Sequence, residues 1–166
     1  VVALELAGQI YLLDPAAISA VRYRARYGRS VVADLAACRD RRGEEALLLR
    51  LCHVMIPPEH RPPLLDFARA ARRDGHFPHK AQAAREALLA GDGPLPPAGE
   101  GPPFDEYRVL ALMALAGVDG GLLHELPILH LVGVLRRCGE LRDPACKAYR
   151  PMTGAELARL YPRRAP

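Results

Sequence analysis

Residues 17–36 read AISAVRYRARYGRSVVADLA. On a helix, Arg22, Arg26 and Arg29 fall at i, i+4 and i+7, and Tyr23 and Tyr27 form an adjacent i, i+4 row. Ile18, Val21 and Ala25 take the opposite side, the side a core would use. Gly28 stops this helix, since glycine enters the left-handed region without a Cβ clash. Ser30 then caps a second, apolar helix by accepting a backbone N–H. The expected result is a helix with an apolar belly and a cationic, aromatic back. Such a surface suits contact better than bond-making chemistry.

Working outward, the preceding residues read as a β-hairpin. Val2, Leu4 and Leu6 alternate with Ala3 and Glu5, Ala7-Gly8 supplies the turn, and Ile10, Tyr11 and Leu12 return. Two strands are not stable alone, so the ribbon must lie on helices. Asp14 is expected to cap the basic helix with Pro15 at its first position.

After residues 30–38 comes CRDRRGEE, which reads as a charged loop. A helix over 44–55 follows, with Leu47, Leu48, Leu51, Cys52 and Met55 on one face. Pro57-Pro58 ends it, and Pro62-Pro63 opens another that turns Leu64, Phe67, Ala68 and Ala71 inward and Arg69, Arg72 and Arg73 to water. Gly75 stops that helix, and Pro78 starts an alanine-rich one running to Ala90.

Residues 91–103, GDGPLPPAGEGPP, have no apolar period and read as a linker. Beyond it, Phe104, Tyr107, Leu110, Ala111 and Ala114 line one helix ending at Gly117. PILHLVGVLRRCG, from Pro127, is apolar nearly all round until Arg136 and reads as the buried centre of this part. Thr153 and Glu156 form a capping box ahead of a short helix with Leu157 and Leu160. The fold class is therefore mainly α: an N-terminal β-hairpin packed on a helical bundle, a Pro/Gly linker and a small helical appendix. The corresponding units are 1–90, 91–103 and 104–166.

Composition narrows the function. The 166 residues are half apolar and a quarter charged, as in globular chains rather than disordered ones. A net charge of +4 and a pI near 9.1 permit an acidic partner, but the basic residues are spread over several helices. That distribution disfavours nucleic acid as a partner. No apolar run reaches the roughly 18–20 residues of a membrane helix. The opening VVALELAGQIYLL carries an acid and a glycine and lacks the basic start of a secretory signal. Cys38, Cys52, Cys138 and Cys146 form no CxxC pair and read as reduced thiols of a cytoplasmic protein.

Candidate metal ligands are Cys52-His53, His76 with His79, His124 with His130, and Cys138 with Cys146; none has the spacing of a zinc ribbon, a finger or an HExxH helix. Ser19, Ser30 and Thr153 are the only hydroxyl residues of their kind, and each is explained by capping or a helix surface. No phosphate-binding glycine loop follows a strand. Glu44-Glu45 complements a helix dipole. The expectation is no catalytic residue, no metal and no cofactor. The row Arg22, Tyr23, Arg26, Tyr27 and Arg29 is the candidate binding site. It reads either as a docking surface, whose arginines and tyrosines could also take phosphates and bases, or as a solvated face.

The order hairpin, basic helix with RYRARYGRSVVADL, apolar helix and Leu-rich helix resembles the tail assembly chaperones of long-tailed phages of Gram-positive bacteria. The resemblance covers roughly residues 4–90 and rests most on Arg22, Tyr23, Tyr27, Gly28 and Leu35; Ser30 stands where the family commonly has an acid. It implies a non-enzymatic chaperone, phage- or prophage-encoded and working in the bacterial host cytoplasm. Such a chaperone coats the tape-measure protein, and a longer frameshift product recruits tail-tube subunits. The linker and the part from Phe104 onward would correspond to that extension, and self-association is possible. The rival readings are a nucleic-acid-binding helical module and a structural tail-completion protein of the virion.

Overall fold

A computed structural model describes residues 1–91 and 104–142. Most of the expected linker, the Thr153–Glu156 capping box and Cys146 lie outside the described residues.

Strands β1 (Val2–Leu6) and β2 (Gln9–Leu13) pair antiparallel with Leu6 opposite Gln9. That register leaves a two-residue turn, and Ala7 and Gly8 both take positive φ, 49° and 80°, as a twist-matched hairpin requires. Alternation sends Leu4, Leu6, Tyr11 and Leu13 inward and leaves Ile10 and Leu12 in water. The inward face lies on helices: Tyr11 meets Phe67 edge-on at 5.2 Å, and Phe67 meets Phe77 in the same way at 6.4 Å. The Asp14 N–H donates to the Met55 carbonyl and ties the end of β2 to the third helix.

Helix α1 spans Ala17–Tyr27. Asp14 does not cap it as expected; its Oδ1 accepts from the Ala16 N–H, and its carbonyl accepts from the Ser19 hydroxyl. The Asx-type turn delays the helix by two residues. Helix α2 (Val31–Ala37) is capped by Ser30, whose Oγ accepts from the Ala33 N–H at 3.2 Å. Helix α3 (Arg41–Met55) begins inside the stretch expected to be a loop, because Asp40 Oδ1 accepts from the Gly43 N–H. One side-chain cap suffices to draw Arg41 and Arg42 into a first turn. Leu47, Leu48, Leu51, Cys52 and Met55 are buried along α3, as the periodicity requires.

Helices α4 (Leu64–Arg73) and α5 (Phe77–Leu88) add Phe67, Ala71, Phe77, Ala81, Ala84 and Leu88 to the core. Beyond residue 103 come α6 (Glu106–Ala116), α7 (Leu122–Glu125) and α8 (Ile128–Arg142). All three lie against α1, and the Ala17 N–H donates to the Leu126 carbonyl at 2.7 Å. Val109, Met113, Ile128, Leu131 and Leu135 join the same core as the hairpin and α3. The division read at 91–103 is thus a boundary along the chain between elements that share one core.

Two faces differ from expectation. On α6 the inward residues are Glu106, Val109 and Met113, while Tyr107, Ala111 and Ala114 are exposed. Helix α8 buries one side, through Ile128, Leu131 and Leu135, rather than its whole girth. Among the described residues no helix is long and apolar enough to cross a membrane.

Candidate partner-binding surface

Helix α1 is rotated from its expected setting. Its buried positions are Ala17, Ser19, Ala20 and Tyr23; Ile18 and Val21 are half-buried and Ala25 is exposed. Between the face of Ile18, Val21 and Ala25 and the face that carries Tyr23, the helix seals the one with the ring, the largest single apolar group at stake. Tyr23 is 0 % exposed, and its hydroxyl donates to Asp34 Oδ2 at 3.2 Å. Burial, and then the Asp34 charge, push its pKa up to about 12. Tyr23 is therefore a pillar between α1 and α2 and cannot meet a partner directly.

Tyr27 is half-buried, its ring 4.8 Å from that of Tyr23, and its hydroxyl is enclosed with no hydrogen-bond partner among the described residues. Two guanidiniums lie within cation–π range of its ring, Arg26 at 5.9 Å and Arg50 of α3 at 5.7 Å. Arg22 is half-exposed and 3.9 Å from Asp14 Oδ2, a loose pair. Arg26 is exposed and has no carboxylate at ion-pair distance among the described residues. Arg29 is exposed too, but its guanidinium is held 2.7 Å from Asp34 Oδ1 on α2. The predicted row is thus split: Arg22 and Arg26 belong to one surface, Tyr27 forms its bed, Arg29 is tied to α2, and Tyr23 lies inside.

Arg61 joins that surface from the connection between α3 and α4. Its Nε and Nη2 donate to the Ile56 carbonyl, and Nη2 also donates to the Val54 carbonyl at 2.7 Å, closing the C-terminus of α3. Burial, followed by the charges of Arg26 and Arg22, holds its pKa below the usual arginine value. Like charges have therefore been gathered there, with Asp14 and Glu59 as the nearby acids. No periodicity pointed to Arg61 or Arg50. Arg61 sits between two proline pairs, and Arg50 follows a buried-face leucine run, so only folding brings them beside α1.

The sites considered for chemistry look different. Burial pushes the Cys52 thiol up to about 12, which keeps it protonated and a poor nucleophile or ligand. The neighbouring His53 ring is buried, with its pKa lowered by desolvation; Nε2 donates to the Pro62 carbonyl at 2.8 Å, which fixes the tautomer. Among the described residues no three of His, Cys, Asp and Glu gather as a metal site would require. A cavity of about 410 Å³ beside Leu35, Cys38, Arg39 and Glu44 is lined by charges of both signs. Its Arg85 is engaged with Glu44 at 2.9 Å. No protein-family model, curated protein or solved structure matches the chain.

Proposed function

We propose that this protein is a non-enzymatic tail assembly chaperone that holds the tape-measure protein and recruits tail-tube subunits during tail morphogenesis. The observation that carries this reading is the gathering of Arg22 and Arg26 beside Arg61, with Arg26 and Arg50 over the ring of Tyr27. Such a surface steers and orients an anionic partner, since desolvated charge complementarity sets register and encounter rate. The resemblance of residues 4–90 to tail chaperones supplies the identity of the partner. The nucleic-acid alternative is less well supported. Tyr23 is buried and Tyr27 lies half-buried beside two guanidiniums, so neither offers a base the open ring face that stacking requires.

Co-expression with a tape-measure protein of the same genome, followed by pull-down, tests the reading. Wild-type protein is expected to retain the tape-measure protein. Arg22→Ala with Arg26→Ala should weaken retention by more than roughly threefold, about 0.7 kcal/mol, with little change in folding because both side chains are at least partly exposed. Undiminished capture by the double variant would remove the arginine surface from the reading. Salt-sensitive binding to random duplex DNA, with no tail protein retained, would favour the nucleic-acid alternative.

A further inference from the structure

Helices α3 and α4 leave a second feature between them, a groove of about 230 Å³. Its floor is Ala46, Leu49, Ala68 and Ala71, and Arg42 and Arg72 stand at its rim with Glu45. Ala71 is buried, Leu49 and Ala68 are half-buried, and Ala46 is open to water. Leu65 lies three residues before Ala68 on the same row of α4 and is 71 % exposed, so it extends the apolar strip toward the start of that helix. The strip from Leu65 to Arg72 runs roughly 10 Å along α4. Alanines on both walls lower the ridges and allow another helix backbone to come close.

We propose that this groove docks one amphipathic helix of a partner protein, its apolar stripe on the alanine floor and its flanks carrying aspartate and glutamate. The inference rests on the chaperone reading and gives it a specific contact surface. Charge selects the occupant. Arg42 and Arg72 are exposed and have no ion-pair partner among the described residues, whereas the neighbouring Arg69 is engaged by Asp66 at 3.2 Å. Glu45 is the one acid in the lining. A second copy of the chain would offer the apolar outer face of α6, whose exposed charged residue is Arg108, and would bring like charge to the rim. The chain's own residues 143–166 carry five basic against two acidic side chains and are disfavoured on the same ground. The floor has no aromatic ring on which a base could stack, and the groove is smaller than the roughly 300 Å³ at which small-molecule pockets begin.

The test uses the full chain and a synthetic amphipathic peptide of about five helical turns. The peptide has leucines on one face and glutamates on its flanks; a matched analogue has lysine at every glutamate. Fluorescence anisotropy should show binding of the glutamate peptide and not of the lysine analogue. Ala68→Glu, which puts bulk and charge on the floor, should weaken binding at least roughly tenfold, equivalent to about 1.4 kcal/mol. Arg42→Glu with Arg72→Glu should do the same and transfer preference to the lysine analogue. Both changes fall on side chains that are not fully buried, and circular dichroism checks that the fold survives. Equal binding of the two peptides, or indifference to both variants, overturns the proposal. If Ala68→Glu and the double arginine variant still capture the tape-measure protein as wild type does, the groove assignment falls and the chaperone reading stands. If the glutamate peptide behaves as expected but wild-type protein captures no tape-measure protein, the groove stands and the chaperone reading falls.

Discussion

Residues 1–91 are fastened by apolar packing, whereas residues 104–142 are fastened to them partly through a buried carboxylate. In the first region Leu4, Leu6, Leu13, Leu48, Leu51, Met55, Phe67 and Phe77 are essentially sealed from water, and the buried polar residues are Ser19, Ser30 and a histidine. In the second, Val109, Met113, Ile128, Leu131 and Leu135 are buried together with Glu106, which is 0 % exposed. Glu106 Oε1 accepts from the Ser30 hydroxyl at 2.8 Å and from the Val31 N–H at 3.1 Å; Oε2 is enclosed with no partner. Beside it Arg24 reaches Asp105 and the Tyr107 ring, and at the other end of α6 Arg142 donates to the Leu115 and Ala116 carbonyls. Apolar burial does not respond directly to pH, while a desolvated carboxylate does. The attachment of α6–α8 is therefore the conditional part of the molecule.

The largest effect should come from Phe67→Ala. Its ring touches Tyr11, His53 and Phe77, so the deletion leaves a cavity at the junction of hairpin, α3, α4 and α5. A loss of about 3–5 kcal/mol is expected, read as a lower midpoint in chemical denaturation. Because α6–α8 stand on α1, their amides should lose protection along with the hairpin's. Persistent protection of α6–α8 in this variant would show that the second region does not depend on the first.

Glu106 gives the next effect and the one that separates the regions. Burial raises its pKa above the ordinary carboxylate range, against the lowering influence of the Ser30 hydroxyl and the Val31 and Val32 amides. A raised folded-state pKa means that protonation favours the docked form. Its contribution is full below the unfolded value of about 4.3 and is lost as pH rises through the raised value. Hydrogen exchange in α6–α8 should accordingly quicken over that window while the hairpin stays protected. Glu106→Gln should flatten this dependence. Glu106→Ala strands the Val31 N–H and should cost about 1–3 kcal/mol, confined to α2 and α6–α8. A pH response shared equally by hairpin and α8 would erase the distinction.

The same contrast marks what could be read from the sequence. The hairpin was legible because alternation and a two-residue turn point to one register. Burial along α3 is legible because its apolar residues keep one phase, although its start is not: in sequence Asp40 is one charge among many, and only the fold shows its cap to Gly43. The face of α6 was not legible, since EYRVLALMALA is apolar on nearly every side and the period decides nothing. Glu106 in a first helical turn reads as a dipole complement, and only its approach to Ser30, 76 positions earlier, reveals a buried clasp. Likewise the arginines of α1 are visible as a row, but Tyr23, read on the same exposed back, is in the core. Arg50 and Arg61 became part of the surface only through long-range packing.

The smallest prediction uses a matched pair of glycines to compare the regions directly. Gly28 ends α1 with φ 67°, and Gly117 ends α6 with φ 63°. A Cβ built on either meets nothing within 4 Å, so alanine at both sites carries the backbone penalty without a steric one. That penalty is about 1 kcal/mol for an L-residue in the left-handed region. Equal local costs should nevertheless be spent differently. Gly28 joins α1 to α2, between Tyr23 and its partner Asp34, so Gly28→Ala should lower the global denaturation midpoint. Gly117 joins α6 to α7, so Gly117→Ala should leave that midpoint nearly unchanged and appear as faster exchange in α6–α8. If Gly117→Ala lowers the midpoint as much as Gly28→Ala, the two regions unfold as one cooperative unit, and the Glu106 contact is an ordinary part of a single core.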